Sequence, residues 1–118
     1  MIERCFDYRI VKRYLGVVPA VSSEIYYLEE KGVGMWTVFK YKEGVQIHAD
    51  LTKECRGNAA VSSGMDVLRW LKKNTKAKTF YALVPKYNQA AGRIAISCGL
   101  TRSKEIEEGF TVYEVSNG

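Results

Sequence analysis

The stretch ECRGNAAVSSGMDVLRWLKKN, Glu54 to Asn74, sets a polar, glycine-containing turn directly against a run whose apolar residues recur at helical spacing. The first N–H groups of a helix lack internal acceptors and together carry about half a positive charge. The amides of Gly57, Asn58, Ala59, Ala60 and Val61 can therefore hold a diphosphate, and Arg56 can add charge-assisted bonds to the same oxygens. The alternative is an ordinary helix cap with no ligand. A second set lies upstream in VQIHADL, Val45 to Leu51. Side chains alternate along a strand, so Val45, Ile47, Ala49 and Leu51 point one way while Gln46, His48 and Asp50 point the other. On that polar face either His48 or Asp50 could relay a proton through water. His48 is the sole histidine; its alternative role is a half-buried imidazole hydrogen-bonded on the sheet, and that of Asp50 is a solvated or capping carboxylate.

The elements that must position these groups are legible in outline. IYYLEE from Ile25, then MWTVFKY and VQIHADL, are β-rich runs joined by the turn residues KGVG and KEG, which makes a three-stranded antiparallel meander. After Gly57 the period changes: Val61, Met65, Leu68 and Leu71 form a helical stripe, with Lys72 and Lys73 in the last turn, where cations complement the dipole. TFYALVP, Thr79 to Pro85, reads as a strand buried on both faces. Asn88 opens a second helix with Ala91, Ile94, Ala95 and Cys98 on its apolar side and Gly99 as a left-handed cap. FTVYEV, Phe110 to Val115, is a last strand. The segment from Ile2 to Leu15 mixes helix and strand signals and stays open, and GVVPAVSS after it is a connecting loop. The order β-β-β-α-β-α-β predicts an α/β (α+β) architecture in which two helices cover a mixed sheet.

Composition sets the frame. A chain of 118 residues that is 47% hydrophobic and 12% aromatic suits one compact domain, residues 1–118. The net charge of +5 suits a phosphate-bearing ligand, an acidic partner or nucleic acid without choosing among them. Cys5, Cys55 and Cys98 are odd in number and far apart, so neither a disulfide framework nor a metal site is expected, and a cytoplasmic setting is the default. The first residues, Met1 to Arg13, alternate charged and apolar positions and lack the long apolar stretch of a signal peptide or membrane span. The basic run KKNTKAK, Lys72 to Lys78, is more simply a solvated helix end than a nucleic-acid site.

Taken in order, the meander, the RGNAA turn into a helix, the strand FYALVP and then NQAAGRIAISCGL resemble the GNAT superfamily of acyl-CoA-dependent N-acyltransferases, over roughly Ile25 to Val115. Asn88, Ala91 and Gly99-Leu100 stand where that family places its Asn, Ala and Gly-Phe. The short length and the RGNAAVSSGMDVLRWLKKNT wording are similar to small GNAT-like proteins of tailed bacteriophages. The resemblance implies a GNAT-like mixed sheet and a coenzyme A pyrophosphate at the Arg56 turn, following a pattern Q/R-x-x-G-x-G/A. Ala59 and Val61 occupy glycine and glycine/alanine positions of that pattern. A Cβ at either would cost about 1 to 2 kcal/mol if the backbone there needed a positive φ.

It further implies that the strand VQIHADL, through the backbone at Ala49 and Leu51, faces the acyl-bearing arm of the coenzyme. A backbone amide of that strand would stabilise the thioester oxyanion. Asn88 would hold the pantetheine amides or only cap its helix; Lys86 and Arg93 would meet an outer phosphate or only solvent. The family's usual general acid is a tyrosine seven residues after the Asn, where this chain has Ala95; Tyr87 or Tyr81 are the candidate replacements. The expected activity is acetyl transfer from acetyl-CoA to an unidentified amine, in a cleft between VQIHADL and FYALVP, with a homodimer left open. The competing expectation is a catalytically silent GNAT-fold phage protein that acts by binding a protein partner in assembly or host interaction.

Overall fold

The computed structural model describes residues 1–55 and 57–118. The N-terminal segment that mixed two signals contains both: a two-residue strand β1 (Glu3–Arg4) and a helix α1 (Tyr8–Leu15). Asp7 starts α1 by accepting from the Arg9 backbone N–H at 3.0 Å, and Gly16, at φ +77°, ends it. Both termini thus use side-chain and backbone types that suit them.

The meander follows as β2 (Tyr26–Glu30), β3 (Gly34–Tyr41) and β4 (Gly44–Leu51), antiparallel, with Trp36 opposite Ala49, Thr37 opposite His48 and Met35 opposite Asp50. Next come α2 (Asn58–Asn74), β5 (Thr79–Pro85), α3 (Gln89–Ser97), a two-residue strand β6 (Thr101–Arg102) and β7 (Phe110–Ser116). The seven strands form one mixed sheet in the order β1-β2-β3-β4-β5-β7-β6. The β4–β5 pair is parallel, as a crossover through a helix requires, and the other pairs are antiparallel.

The helices divide between the faces. α2 and α3 pack on a main core that contains Leu28, Trp36, Val38, Phe80 and Val84, whereas α1 covers Tyr27 and Met35 on the other face. β5 is buried on both sides: Phe80 enters the main core while Tyr81 packs edge to face on Tyr41, ring centroids 5.0 Å apart. The buried stripe of α2 differs from the one predicted. Ala60, Ser63, Gly64, Val67, Leu68 and Leu71 face inward, and Met65 is exposed. Small residues win the inward positions because α2 lies close to the sheet. A Cβ on Gly64 would sit 2.7 Å from the Cys98 sulfur and 3.4 Å from the Trp36 ring. α3 ends in a Schellman motif: Gly99, at φ +100°, donates to Ile96 O, and Leu100 donates to Ala95 O while its side chain enters the core.

The seam between β4 and β5 positions everything that follows. Its ladder consists of Val45 opposite Phe80 and Gln46 opposite Tyr81. Below it the backbones nearly touch, since a Cβ on Gly44 would lie 1.7 Å from Thr79 O. Above it, from Ile47 to Leu51, β4 pairs with β3 but not with β5.

Candidate functional site

Where β4 and β5 part, a cavity of about 420 Å³ opens between them and runs beneath α2 and α3. β4 contributes Ile47, His48, Ala49 and Leu51; β5 contributes Ala82, Val84 and Pro85. Gly64 and Leu68 of α2, and Asn88, Ala91, Ala95 and Cys98 of α3, form the roof, and Trp36 and Leu100 lie at its inner end. The lining is mostly apolar with a few polar groups at the lip, the usual composition of a small-molecule site.

Two contacts hold the roof in place. The Trp36 indole N–H donates to the buried Ser63 hydroxyl at 2.9 Å, fixing α2 over β3. The Cys98 thiol points at Val61 O, 3.5 Å away, tying α3 to the first turn of α2. Burial pushes the Cys98 thiol above its ordinary pKa, so it stays protonated and poorly nucleophilic at neutral pH.

At the start of α2, Gly57 is the N-cap, at φ +52° and ψ −119°, and among the described residues no side-chain hydrogen bond caps the helix. The Val61 N–H donates to Gly57 O at 3.1 Å, so of the expected cradle amides that of Val61 is engaged inside the helix. Asn58, Ala59 and Ala60 precede that bond, and their N–H groups lie in the first turn of the helix. Ala59 and Val61 have helical backbone; Lys42 is the non-glycine residue at positive φ among the described residues. The strain attached to side chains at the pattern's glycine positions is therefore absent. Gly57 itself takes the positive φ, with open space where a Cβ would be. Arg56 lies outside the described residues.

His48 and Asp50 share the face of β4 opposite the main core. His48 Nε2 is 3.6 Å from Asp50 Oδ2; the His48 side chain is 58% exposed at the lip of the cleft and that of Asp50 is 28% exposed. Burial raises the Asp50 pKa, and His48 pulls it partly back. Asn88 also stands at the lip, and its Oδ1 accepts from the Ala91 N–H at 3.1 Å. The capping role is thus filled, which leaves the side-chain amide nitrogen as the group available to a ligand.

The remaining candidates are not brought to the cleft. Tyr87 projects into solvent, 88% exposed, in the turn between β5 and α3, and is not part of the lining. Lys86 and Arg93 lie on another side of α3, beside a separate depression near Thr111 and Tyr113. Tyr81 is buried against Tyr41 on the opposite face. Sequence reasoning missed Gly64, Leu68, Ala82 and Trp36 as lining residues. The signal available was Ser63-Gly64 inside an apolar helix, a pair that marks close approach of another element.

No family model and no curated protein matches the sequence. Solved structures do match the fold. The N-acetyltransferase PseH of Campylobacter jejuni, in complex with acetyl coenzyme A, superposes with a TM-score of 0.69 at 14% identity, over 93% of this chain and 77% of that one. The spermidine N-acetyltransferase of Vibrio cholerae, in complex with CoA and spermine, gives 0.72 at 12% identity over 99% and 95%. A domain from Methanocaldococcus jannaschii gives 0.68 at 18% identity over 98% and 97%. An acetyltransferase of the GNAT family from Bacillus anthracis gives 0.64 at 17% over 92% and 72%. The chain therefore has the fold of the GNAT N-acetyltransferases.

Proposed function

We propose that this chain is an acyl-CoA-dependent N-acyltransferase that moves an acetyl group from acetyl-CoA to an amine. One observation carries the reading: the cleft opened by the parting of β4 and β5 is roofed by α2, and Cys98 of its lining reaches Val61 O in the first turn of that helix. A long thioester with a diphosphate at one end fits both parts at once. The first-turn amides of α2 and the positive-φ backbone of Gly57 take the diphosphate. The lip amide of Asn88 and the strand backbone at Ala49 and Leu51 hold the pantetheine arm, which supplies the activated acyl carbon.

The protein's own groups then serve the acceptor. A lysine-like amine must lose a proton, which costs about 4.6 kcal/mol at pH 7 for a pKa near 10.4. His48 at the exposed lip, with Asp50 beside it, removes it through water. The amine nitrogen bonds to the acyl carbon, the C–S bond breaks, and the electron pair leaves with sulfur. A thiol with pKa near 8.5 leaves without an acid, which accommodates Ala95 at the tyrosine position. A β4 backbone N–H left without a β5 partner meets the oxyanion.

The test is direct. Acetyl-CoA at a hundredfold excess over its Kd should stabilise the native state by about 2.7 kcal/mol and perturb the amide signals of Gly57 to Ala60. No rise in melting temperature at millimolar ligand would remove the reading. A second reading draws on one fact: among the described residues no tyrosine lines the cleft. In it the chain binds the coenzyme or a protein partner without catalysis, in keeping with the resemblance to phage proteins of assembly or host interaction. Binding without release of free thiol across a panel of amines would select it.

A further inference from the structure

Resting on the acyltransferase reading, we infer that the cleft prefers acyl groups longer than acetyl, straight chains of about four to eight carbons whose tail lies beneath Ala95. The shape of the lining carries this inference. The residues around the inner space are small where a tail would pass: Gly64 on α2, Ala82 on β5, Ala91 and Ala95 on α3. Ile47, Leu51, Val84 and Ile94 add aliphatic wall beside them, and Trp36, Leu68 and Leu100, all nearly buried, form a floor. The space thus extends past the strand seam into the main core instead of stopping at it.

Its chemistry agrees with its shape. Beyond the lip, where His48 and Asn88 stand, the side chains are hydrocarbon apart from the Trp36 indole and the Cys98 thiol. The indole N–H is already committed to Ser63, and the thiol to Val61 O. Nothing along the inner wall asks for a polar ligand group, and an apolar cavity of this kind binds hydrocarbon in preference to water. An acetyl group reaches only the mouth of that space. Each further methylene buried there adds about fourfold in affinity, from about 0.8 kcal/mol apiece, until the floor is met. Reaction with a longer thioester is the same exchange: the N–C bond forms, the C–S bond breaks, and the amine proton goes to solvent through His48 and Asp50.

The experiment is a calorimetric ladder on the full chain with no amine present: free CoA, acetyl-, butyryl-, hexanoyl- and octanoyl-CoA. The expected result is affinity rising about fourfold per methylene from acetyl to at least butyryl, then levelling or falling once the floor is reached. A ladder that is flat or falls from acetyl onward, while CoA still binds, overturns the inference and leaves the acyltransferase reading standing. Absence of binding by CoA and every thioester removes both. Ala95→Phe fills the inner space and should collapse the hexanoyl-to-acetyl affinity ratio toward one. If the ratio survives in a folded Ala95→Phe protein, the tail lies elsewhere and the inference fails. The ladder on the unaltered protein decides the matter if that variant does not fold.

Discussion

The two ends of the β4–β5 seam are built from the same strands and behave as opposites. At the Gly44 end the backbones approach so closely that no side-chain carbon fits, and two register pairs lock the strands in parallel. At the Leu51 end the strands have no mutual pairing and small and aliphatic side chains line the gap. A site of this kind depends as much on the closed end as on the open one, because the angle between the strands is set where they touch.

The largest effect should therefore come from the closed end. Gly44→Ala drives a Cβ into Thr79 O and should cost about 3 kcal/mol or more of stability, seen as an early denaturation midpoint. If the variant unfolds no earlier than the parent, the seam is not set by backbone contact there. At the other end, Gly57→Ala meets open space but an unfavourable φ, so it should cost about 1 to 2 kcal/mol of stability. It should also weaken coenzyme affinity, and a loss of stability with affinity intact would detach the α2 start from the cleft. The smallest change sits at the lip. Burial raises the Asp50 pKa, so the folded state binds that proton more tightly than the unfolded one. Stability then falls as pH climbs from the ordinary carboxylate value through the raised one. Asp50→Asn should flatten that slope, gain about 0.5 kcal/mol at neutral pH and slow acyl transfer. A gain in stability with turnover unchanged would leave His48 as the proton acceptor on its own.

The meander, α2, β5, α3 and β7 were legible because long segments repeat with period 2 or about 3.6, or in β5 run apolar without a break, and several are bounded by glycine or proline. β1 and β6, two residues each, are too short for any period, and α1 has just Val11 fully inside. Met65 misled because hydrophobicity favours the larger residue, whereas the close approach of Trp36 and Cys98 selects Ser63 and Gly64. Around the cleft, the start of α2, the strand that carries His48 and Asp50, and the helix that opens at Asn88 could be located from spacing and order. Tyr87 could not, since neighbouring Asn88 in sequence says nothing of direction once a turn intervenes and α3 carries its N-cap to the lip. The depth of the cleft was equally hidden: it arises from small side chains on four separate elements that meet only in the fold.

The brevity of the β4–β5 ladder makes the sheet mechanically a pair of plates, β1 to β4 on one side and β5 to β7 on the other. Swinging one against the other would sacrifice few interstrand bonds, so the close backbone approach at Gly44 is helped by the helices laid across the joint, with the contact between Cys98 and Val61 acting as a latch. Stiffness across this molecule is therefore shared between the closed end of the seam and the roof.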